Sequence, residues 1–263
     1  MKNNKFLDNL IIILVFIFLF APIVVLILFS FNTSKMNITF EGFTLEWYKK
    51  LFTNPTLLDA LKNTLIVAFT STIVSTIIGT ISAYGIKKYD FKGKNIINAL
   101  IYIPVVIPEI VLGISLLCIY TLAKLELGML TLILSHICFS IPFVIISVRS
   151  VLDSLDDNLE NAASDLGASP IKIFFKIILP SIMPGILSGA QLAFTLSLDD
   201  VVISYFAAGP GSNTLPLYIY SLIKTGITPD VNALISLILL VVFLILTISA
   251  FISVRKLRQE ALS

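Results

Sequence analysis

The sequence is poor in charged residues and in the side chains that bind metals or form disulfides. Asp, Glu, Lys and Arg make up 13% of its 263 residues, and it has one histidine, two cysteines and one tryptophan. Cys118 and Cys138 fall in apolar stretches without a CxxC pattern, which predicts small packing residues and no disulfide or redox site. His136 has no ligand-type neighbours in the sequence, so we expect a hydrogen-bonded packing residue, no bound metal and no cofactor.

Several catalytic and binding motifs are also missing. The chain contains no GxxxxGK[ST] phosphate loop, so it cannot form a Walker-type ATP site of its own. It has no HExxH pair, which argues against an intramembrane enzyme, and we expect no catalytic residues. A net charge of +2 without a basic patch argues against nucleic acid as a partner. A stand-alone secondary transporter would normally show an internal repeat with two interrupted spans, and none is visible.

Apolar runs are abundant. Hydrophobic residues make up 57% of the chain, more than a soluble domain of this size can bury. Because about 20 apolar residues span a bilayer, we predict an all-α, polytopic membrane protein with one transmembrane domain over 1–263. Six transmembrane helices are expected near 10–31, 63–86, 96–122, 127–148, 181–205 and 232–254. Turn residues at 209–213 predict that 206–231 is a loop.

The distribution of Lys and Arg predicts the orientation. The first apolar run is too long for a signal peptide and no A-x-A cleavage site follows it, so we expect a membrane anchor in contact with lipid. With the N-terminus in the cytoplasm, twelve of the eighteen Lys and Arg residues lie on the inner side. The positive-inside rule therefore predicts both termini, and the polar segment 150–180, in the cytoplasm.

The segment 150–180 has the start and stop signals of two short helices. Ser154 is a candidate N-cap with an acidic residue three positions later, and Gly167 stands where a left-handed residue ends a helix. Ser169 and Pro170 then predict the start of a second helix. Apolar residues at helical spacing form a narrow stripe on the first helix: Leu155, Leu159, Ala162, Ala163 and Leu166. So short a helix is unstable alone in water, and its stripe must pack against something.

Two interpretations of that packing stay open. Acidic side chains argue against the membrane surface, where Lys and Arg are usual: Asp156, Asp157, Glu160 and Asp165. The helix can pack on the ends of the chain's own spans as a structural loop. It can also enter a groove of a separate cytoplasmic protein, where small alanines permit close approach and the acidic rim attracts a basic partner.

A resemblance supports the second interpretation. The pattern Asn161-Ala162-Ala163, three residues, Gly167, nine residues and then Ile-x-Leu-Pro at 177–180 resembles the E-A-A motif of permease subunits in binding-protein-dependent ABC importers. Further stretches extend the resemblance over nearly the whole chain, and they are most similar to permeases of spermidine/putrescine importers: FNTS at 31–34, GFTLEWY at 42–48, SH at 135–136, FTLSLDDVVIS at 194–204, LPLYIYS at 215–221 and PDVNAL at 229–234.

The resemblance implies a type I importer permease fold in a bacterial inner membrane, together with a set of partners. These are a second homologous permease subunit, a dimer of cytoplasmic ATP-binding subunits and an extracytoplasmic polyamine-binding protein. It also implies that a coupling loop within 150–180 docks in a cleft of the ATPase through Leu159, Glu160, Asn161, Ala162, Ala163, Leu166 and Gly167. Asn161 replaces the glutamate of the motif, and whether Glu160 substitutes from about 100° around the helix stays open.

Acidic residues inside the predicted spans are candidates for the substrate pathway. Glu109 lies in the middle of the third span, where an ionised carboxylate costs about 3 kcal/mol and should face protein or water. Pro104 and Pro108 predict a kink beside it that leaves a carbonyl oxygen near the carboxylate.

Asp199 and Asp200 lie near the outer end of the fifth span, about 100° apart on a helix. We therefore expect one to face the pathway while the other caps or pairs with a neighbouring helix. Thr195 and Ser197 can add hydroxyl contacts. The alternative for these acids is an ion pair that fixes helix packing.

No Lys or Arg is predicted inside the spans, which favours a cationic cargo. Together with the resemblance, this predicts the permease subunit of an ATP-driven polyamine importer that forms half of the pathway. Alternative cargoes are ferric iron, an oligosaccharide or a phosphonate. The outer loops 32–62 and 206–231 are candidate docking surfaces for the binding protein, although Trp47 and Tyr48 can equally serve as headgroup anchors.

Overall fold

The computed structural model describes residues 5–34, 39–156, 158–223 and 229–260. Within these ranges every named element is a helix, and Asn32 and Phe43 form an isolated bridge. In chain order the elements are α1 Lys5–Phe29, α2 Glu46–Leu51, α3 Pro55–Lys88, α4 Lys94–Val106, α5 Glu109–Leu122, α6 Met129–Leu152, α7 Asn158–Asp165, α8 Pro170–Ile173, a π-helical turn Phe174–Ile178, α9 Leu179–Ser181, α10 Met183–Asp199, α11 Val202–Ala207, α12 Leu215–Ile223 and α13 Pro229–Glu260. The all-α prediction is confirmed.

Among the described residues, three helices are long and apolar enough to cross a membrane: Asn9–Phe29 within α1, α3 and α6. Two helix pairs pass the same test together but bend at a break, α4 with α5 by 110° and Pro170–Ser181 with α10 by 67°. If each bent pair is one span, the part of the chain that the structure describes holds up to five. The sixth predicted span falls in α13, of which Pro229–Leu244 is a shorter apolar helix. The count of six therefore stays a prediction.

The structure departs from the predicted third and fifth spans and from the predicted loop at 206–231. The third span is interrupted at 107–108 and the fifth at 200–201, and α12 forms inside the predicted loop. The turn before α12 is held by α3: Asn63 Nδ2 donates to the carbonyls of Gly211 and Asn213, each at 3.0 Å. Thr64 Oγ1 accepts from the Leu215 amide at 2.7 Å, which satisfies a donor at the start of α12. Residues 224–228 of this predicted loop lie outside the described residues.

One compact unit comprises residues 1–58 and 221–263, and in it α1 and α2 pack on α13. The loop after α1 is organised by the buried Asn32. Its Nδ2 donates to the Thr39 carbonyl at 2.6 Å, and its Oδ1 accepts from the Glu41 amide at 2.9 Å. Trp47 Nε1 donates to the Asn32 carbonyl at 2.6 Å, and Trp47 is buried. Trp47 thus belongs to the core of this loop.

The other compact unit comprises residues 59–220 and is built around α6, which packs along α10 and also contacts α4 and α11. Glycines permit close approach to α6 on two sides. A Cβ on Gly79 would lie 2.6 Å from Val144 Cγ1, and a Cβ on Gly189 would lie 3.1 Å from Val144 Cα. Small residues at such contacts are how helices pack closely in membranes. Along this bundle, α10 has Asp199 at one end and the predicted coupling loop near its other end.

Candidate functional site

The break between α4 and α5 places Glu109 at a helix start. Ile107 and Pro108 are extended, with ψ of 137° and 134°. Pro108 has no N–H to continue the helical hydrogen bonds, and its ring excludes the regular position of the preceding turn. The chain therefore turns by 110° at this point, a full break where a kink was predicted.

Glu109 is the first residue of α5 and is exposed. The amides of Val111 and Leu112 bond to the Pro108 carbonyl at 2.9 and 3.2 Å. The carboxylate thus stands at the amino end of a helix, where the helix dipole stabilises negative charge. This environment differs from the mid-helix position that the sequence predicted.

The break after Asp199 separates the two neighbouring aspartates. Asp200 is buried with an extended backbone, and it caps α11: its Oδ1 accepts from the Ile203 amide at 3.1 Å and its Oδ2 from the Ser204 amide at 2.7 Å. Asp199 ends α10 and is exposed. One carboxylate is therefore a cap, as predicted, and the other is open to the surroundings.

Behind Asp200 lies a buried polar network centred on His136. The imidazole Nδ1 is 2.7 Å from Ser197 Oγ, and Nε2 is 3.1 Å from Ser204 Oγ and 3.5 Å from Asp200 Oδ2. Ser197 Oγ is also 3.2 Å from Ser71 Oγ. The prediction of a hydrogen-bonded packing histidine is confirmed. Sequence reasoning missed that His136 supports the aspartate at the helix break, because its partners lie more than 60 residues away in the chain.

The two hydroxyl residues proposed for the pathway have different surroundings. Ser197 is buried within the His136 network and does not reach the exposed carboxylates. Thr195 is exposed, and its Oγ1 donates to the Gln191 carbonyl at 2.9 Å. This bond is typical of threonine in an apolar helix. Neither hydroxyl is arranged as a free ligand.

The folding of α5 onto α11 brings the acidic residues of both breaks into one region. A Cβ on Gly113 of α5 would lie 2.6 Å from a ring carbon of Phe206 in α11, so the two helices are in close contact. Glu109, the first residue of α5, therefore shares one region with Asp199 and Asp200, which precede α11. A region with two exposed carboxylates and no neutralising Lys or Arg among the described ion pairs is suited to attracting cations. Among the residues that the structure describes, no group of three His, Cys, Asp or Glu could hold a metal ion.

The second candidate site is an elbow formed by α7 and the helix Pro170–Ser181. Gly167 has φ of +79°, and the Ala168 amide bonds to the Ala163 carbonyl at 3.1 Å, which closes the end of α7. Ser169 is extended and Pro170 begins the second helix, as predicted. The predicted N-cap, Ser154, was wrong: its Oγ donates to the Val151 carbonyl at 2.7 Å, because α6 continues to Leu152.

The residue that accepts hydrogen bonds at the start of α7 is Asp156. Its Oδ1 accepts from the Asn158 amide at 2.9 Å and from the Asn158 side chain at 3.0 Å. Asp157 lies outside the described residues. Further along, the π-helical turn Phe174–Ile178 precedes Pro180. A widened turn moves the carbonyl of Lys176 away from the proline ring, which would clash with it in a regular helix.

The elbow has an inner face and an outer face. Ala163 is buried in a cluster with residues of α6, including Val148 and Leu152. Leu166 is 89% exposed, and Ile171 and Phe175 are also exposed apolar residues of the elbow. The elbow therefore packs on its own bundle and at the same time presents apolar side chains outward. Asn161, Ala162 and Leu159 are exposed as well, whereas Glu160 is half-buried.

Comparison with known proteins identifies relatives over most of the chain. Residues 75–261 match the family described as the binding-protein-dependent transport system inner membrane component. The chain is 44% identical over 229 residues to the spermidine/putrescine transport system permease protein PotC of Escherichia coli (strain K12), and this match covers 87% of the chain and 86% of that protein. It is 38% identical over 247 residues to the putrescine transport system permease protein PotI of the same strain, covering 91% and 88%.

A solved structure shares the architecture. A chain of a bacterial ABC transporter involved in the import of the acidic polysaccharide alginate superimposes with a TM-score of 0.72 at 15% sequence identity, over 95% of this chain and 97% of that chain. At this identity the similarity shows the fold alone.

Proposed function

The chain belongs to the family of binding-protein-dependent transport system inner membrane components, and we propose that it is the permease subunit of an ATP-driven polyamine importer. The observation that carries the proposal is that α5 packs on α11, which brings the helix breaks of Glu109 and Asp199 into one region, in a chain with 44% identity to a permease named for spermidine and putrescine. Polyamines carry several ammonium groups, which exposed carboxylates attract over a distance and bind by charge-assisted hydrogen bonds.

Glu109 and Asp199 have different tasks from Asp200 in this proposal. The oxygens of Asp200 are occupied by the amides of α11, so it holds the helix break while the two exposed acids contact the passing cargo. Ser197 and Thr195 act indirectly, because their hydroxyls bond within the protein. Two exposed acids without a closed cage give weak binding, which transport requires because tight binding would slow release.

The elbow is the proposed coupling loop to the ATPase. Its exposed residues Leu159, Asn161, Ala162 and Leu166 form the docking surface, and Gly167 and Ala163 set its shape. The 17-residue helix α10 separates Asp199 from the elbow side of the bundle, a distance of about 25 Å at 1.5 Å per residue. An outer acidic site and an inner docking elbow fit an orientation with both termini in the cytoplasm.

The proposed assembly contains a second, homologous permease subunit, two ATP-binding subunits and an extracytoplasmic polyamine-binding protein. The described residues hold up to five candidate spans, too few to enclose a polar pathway alone, and two related subunits would pair about a pseudo-two-fold axis. ATP-driven closure of the ATPase moves the elbow and changes the side from which the acidic site is accessible.

The test is uptake of labelled spermidine and putrescine by cells or proteoliposomes carrying the full complex. We expect Glu109→Gln and Asp199→Asn each to reduce uptake about tenfold or more, since a hydrogen bond to a charged group contributes about 1.5–3 kcal/mol. The matched control is Glu126→Gln, an exposed carboxylate in the loop that follows α5. Two results would contradict the proposal. One is unchanged uptake by the variant that combines Glu109→Gln with Asp199→Asn, and the other is accumulation of ferric iron or a phosphonate by the wild type in place of polyamine.

A further inference from the structure

Glu160 lies in the first turn of α7, and its carboxylate points to α3 of the same chain. Glu160 Oε2 accepts a hydrogen bond from Lys88 Nζ at 2.6 Å and from the Tyr84 hydroxyl at 3.3 Å. Lys88 Nζ also donates to the Tyr84 hydroxyl oxygen at 2.7 Å and lies 5.1 Å from the centre of the Tyr84 ring. Lysine, tyrosine and glutamate form a closed triangle that joins the elbow to the end of α3.

This triangle is partly shielded from water. The Lys88 and Glu160 side chains are 26% and 28% exposed, compared with 50% and 61% for the ion pair of Lys50 and Glu46 at the surface. Solvent and salt weaken exposed pairs most, so the shielded pair is the stronger of the two. The additional bond from Tyr84 fixes the direction of the carboxylate.

A cavity of about 330 Å³ lies beside the triangle, lined among others by Tyr84, Lys87, Lys88, Asp156, Glu160 and Asn161. On this flank the elbow is therefore incompletely packed. The apolar contact of α7 with the bundle is made by Ala163, a side chain of a single methyl group. Polar bonds, more than apolar packing, fix the distance between α7 and α3 on the cavity side.

Asn161, the next residue, is exposed. Neighbouring side chains on a helix point about 100° apart, so Asn161 and Glu160 face different directions. At the position of the E-A-A glutamate the outer surface of the elbow thus presents a neutral amide, while the carboxylate of the preceding residue, Glu160, is engaged inside the chain.

We propose that Glu160 is a positioning residue that ties the elbow to α3 through Lys88 and Tyr84, and that the ATPase docks on the exposed surface formed by Asn161, Ala162 and Leu166 without an ion pair to Glu160. This inference rests on the proposed function, because it assumes that an ATPase binds the elbow. It assigns the ion pair at this point to the permease chain itself, so the docking cleft needs no basic residue opposite Asn161. The bonds from Glu160 to Lys88 and Tyr84 keep the elbow and α3 moving together when the bound ATPase changes conformation.

The test is a charge exchange in the reconstituted complex. We expect Glu160→Lys and Lys88→Glu each to reduce polyamine uptake about tenfold or more and to raise the ATP hydrolysed per polyamine transported, since a shielded charged pair is broken. The combined Lys88→Glu and Glu160→Lys variant should recover most of the uptake and of the ATP ratio. Lys92→Glu, a charge reversal at an exposed loop position near α3, is the matched control and should behave like the wild type.

A second measurement is independent of the ATPase and the cargo. Thermal unfolding of the purified chain with the same four combinations forms a double-mutant cycle, and we expect a positive coupling between positions 88 and 160. The inference is overturned if the cycle shows no coupling, or if Glu160→Lys is rescued by an acidic substitution in the ATPase while the exchange within the chain is not. If the cycle shows coupling but the wild-type complex neither binds an ATPase nor transports polyamine, the tie stands and the proposed function fails.

Discussion

Two sharp turns of the chain, the break at Asp200 and the corner at Gly167, are built in different ways. At Asp200 a buried side chain holds the turn, since it accepts two amides of α11 and lies beside His136. At Gly167 the backbone itself forms the turn with φ of +79°, and apart from the two adjacent residues no atom lies within 4 Å of the position of a Cβ. A turn held by a side chain depends on its neighbours. A turn held by the backbone leaves the surrounding surface free for a partner.

The largest effect is expected for Asp200→Ala. It leaves two amides of α11 without their acceptor and removes the carboxylate that lies 3.5 Å from the buried His136, and we expect the free energy of unfolding to fall by about 3 kcal/mol. Thermal unfolding of the purified chain in detergent measures this loss. Asp199→Ala is the matched control, because its exposed carboxylate should change stability by less than about 0.5 kcal/mol. An equal loss of unfolding free energy in the two variants would contradict the distinction between Asp200 as a helix cap and Asp199 as an exposed carboxylate.

A smaller effect is expected for Gly167→Ala. Alanine has room for its methyl group but not the preferred backbone angle, so we expect a loss of about 1–2 kcal/mol. The strain distorts the elbow, so polyamine uptake should fall while membrane insertion is retained. Gly85→Ala is the control, since Gly85 also has open space but lies within α3 without a positive φ. Normal uptake by the Gly167 variant would show that the corner tolerates another geometry.

The smallest effect is expected for Asp90→Asn. Asp90 is charged and paired like a structural carboxylate but is not buried, so its variant shows how much charge contributes without the burial of Asp200. Lys94 Nζ lies 2.8 Å from Asp90 Oδ1, and this hydrogen bond and the positive charge hold the pKa of the Asp90 carboxyl below its ordinary value. A lowered pKa gives stability that is present above the ordinary value of about 3.9 and is lost as the pH falls through the folded-state pKa. Because the Asp90 side chain is 97% exposed, we expect no measurable change in melting temperature at pH 7.

The same variant has a clear contradicting outcome. If Asp90→Asn lowered the melting temperature as much as Asp200→Ala, charge alone would govern these carboxylates and burial would be irrelevant. A comparison of melting curves at pH 7 and pH 3 makes the test specific, because any stability that comes from the Asp90 charge would be larger at pH 7 than at pH 3.

The features that could be predicted from the sequence are those with local signals. Gly167 followed by Ser169 and Pro170 marks a corner whose parts are all within a few residues, and the structure has it there. Pro104 and Pro108 likewise marked a disturbance in the third span. The 110° bend itself was not predictable, because it depends on how α5 packs against α11.

Features that depend on distant partners were missed for the same reason. The sequence predicted that one of the two neighbouring aspartates can be a cap but not which one, because the apolar residues that follow Asp200 continue the pattern of a span. Its support comes from His136, on another helix. The inward direction of Glu160 depends on Tyr84 and Lys88, more than 70 residues earlier. No periodicity within 150–180 contains that information.

The π-helical turn at Phe174–Ile178, in the second helix of the elbow, contains one residue more than an α-helical turn would. A return of these five residues to α-helical spacing would rotate one side of the helix against the other by about 100° and shift it by about 1.5 Å per residue released. The chain can therefore absorb a small axial pull there by rewinding, to the extent that the Pro180 ring leaves room for the Lys176 carbonyl. The elbow and α10 can therefore stay connected by one helix while the angle between them changes.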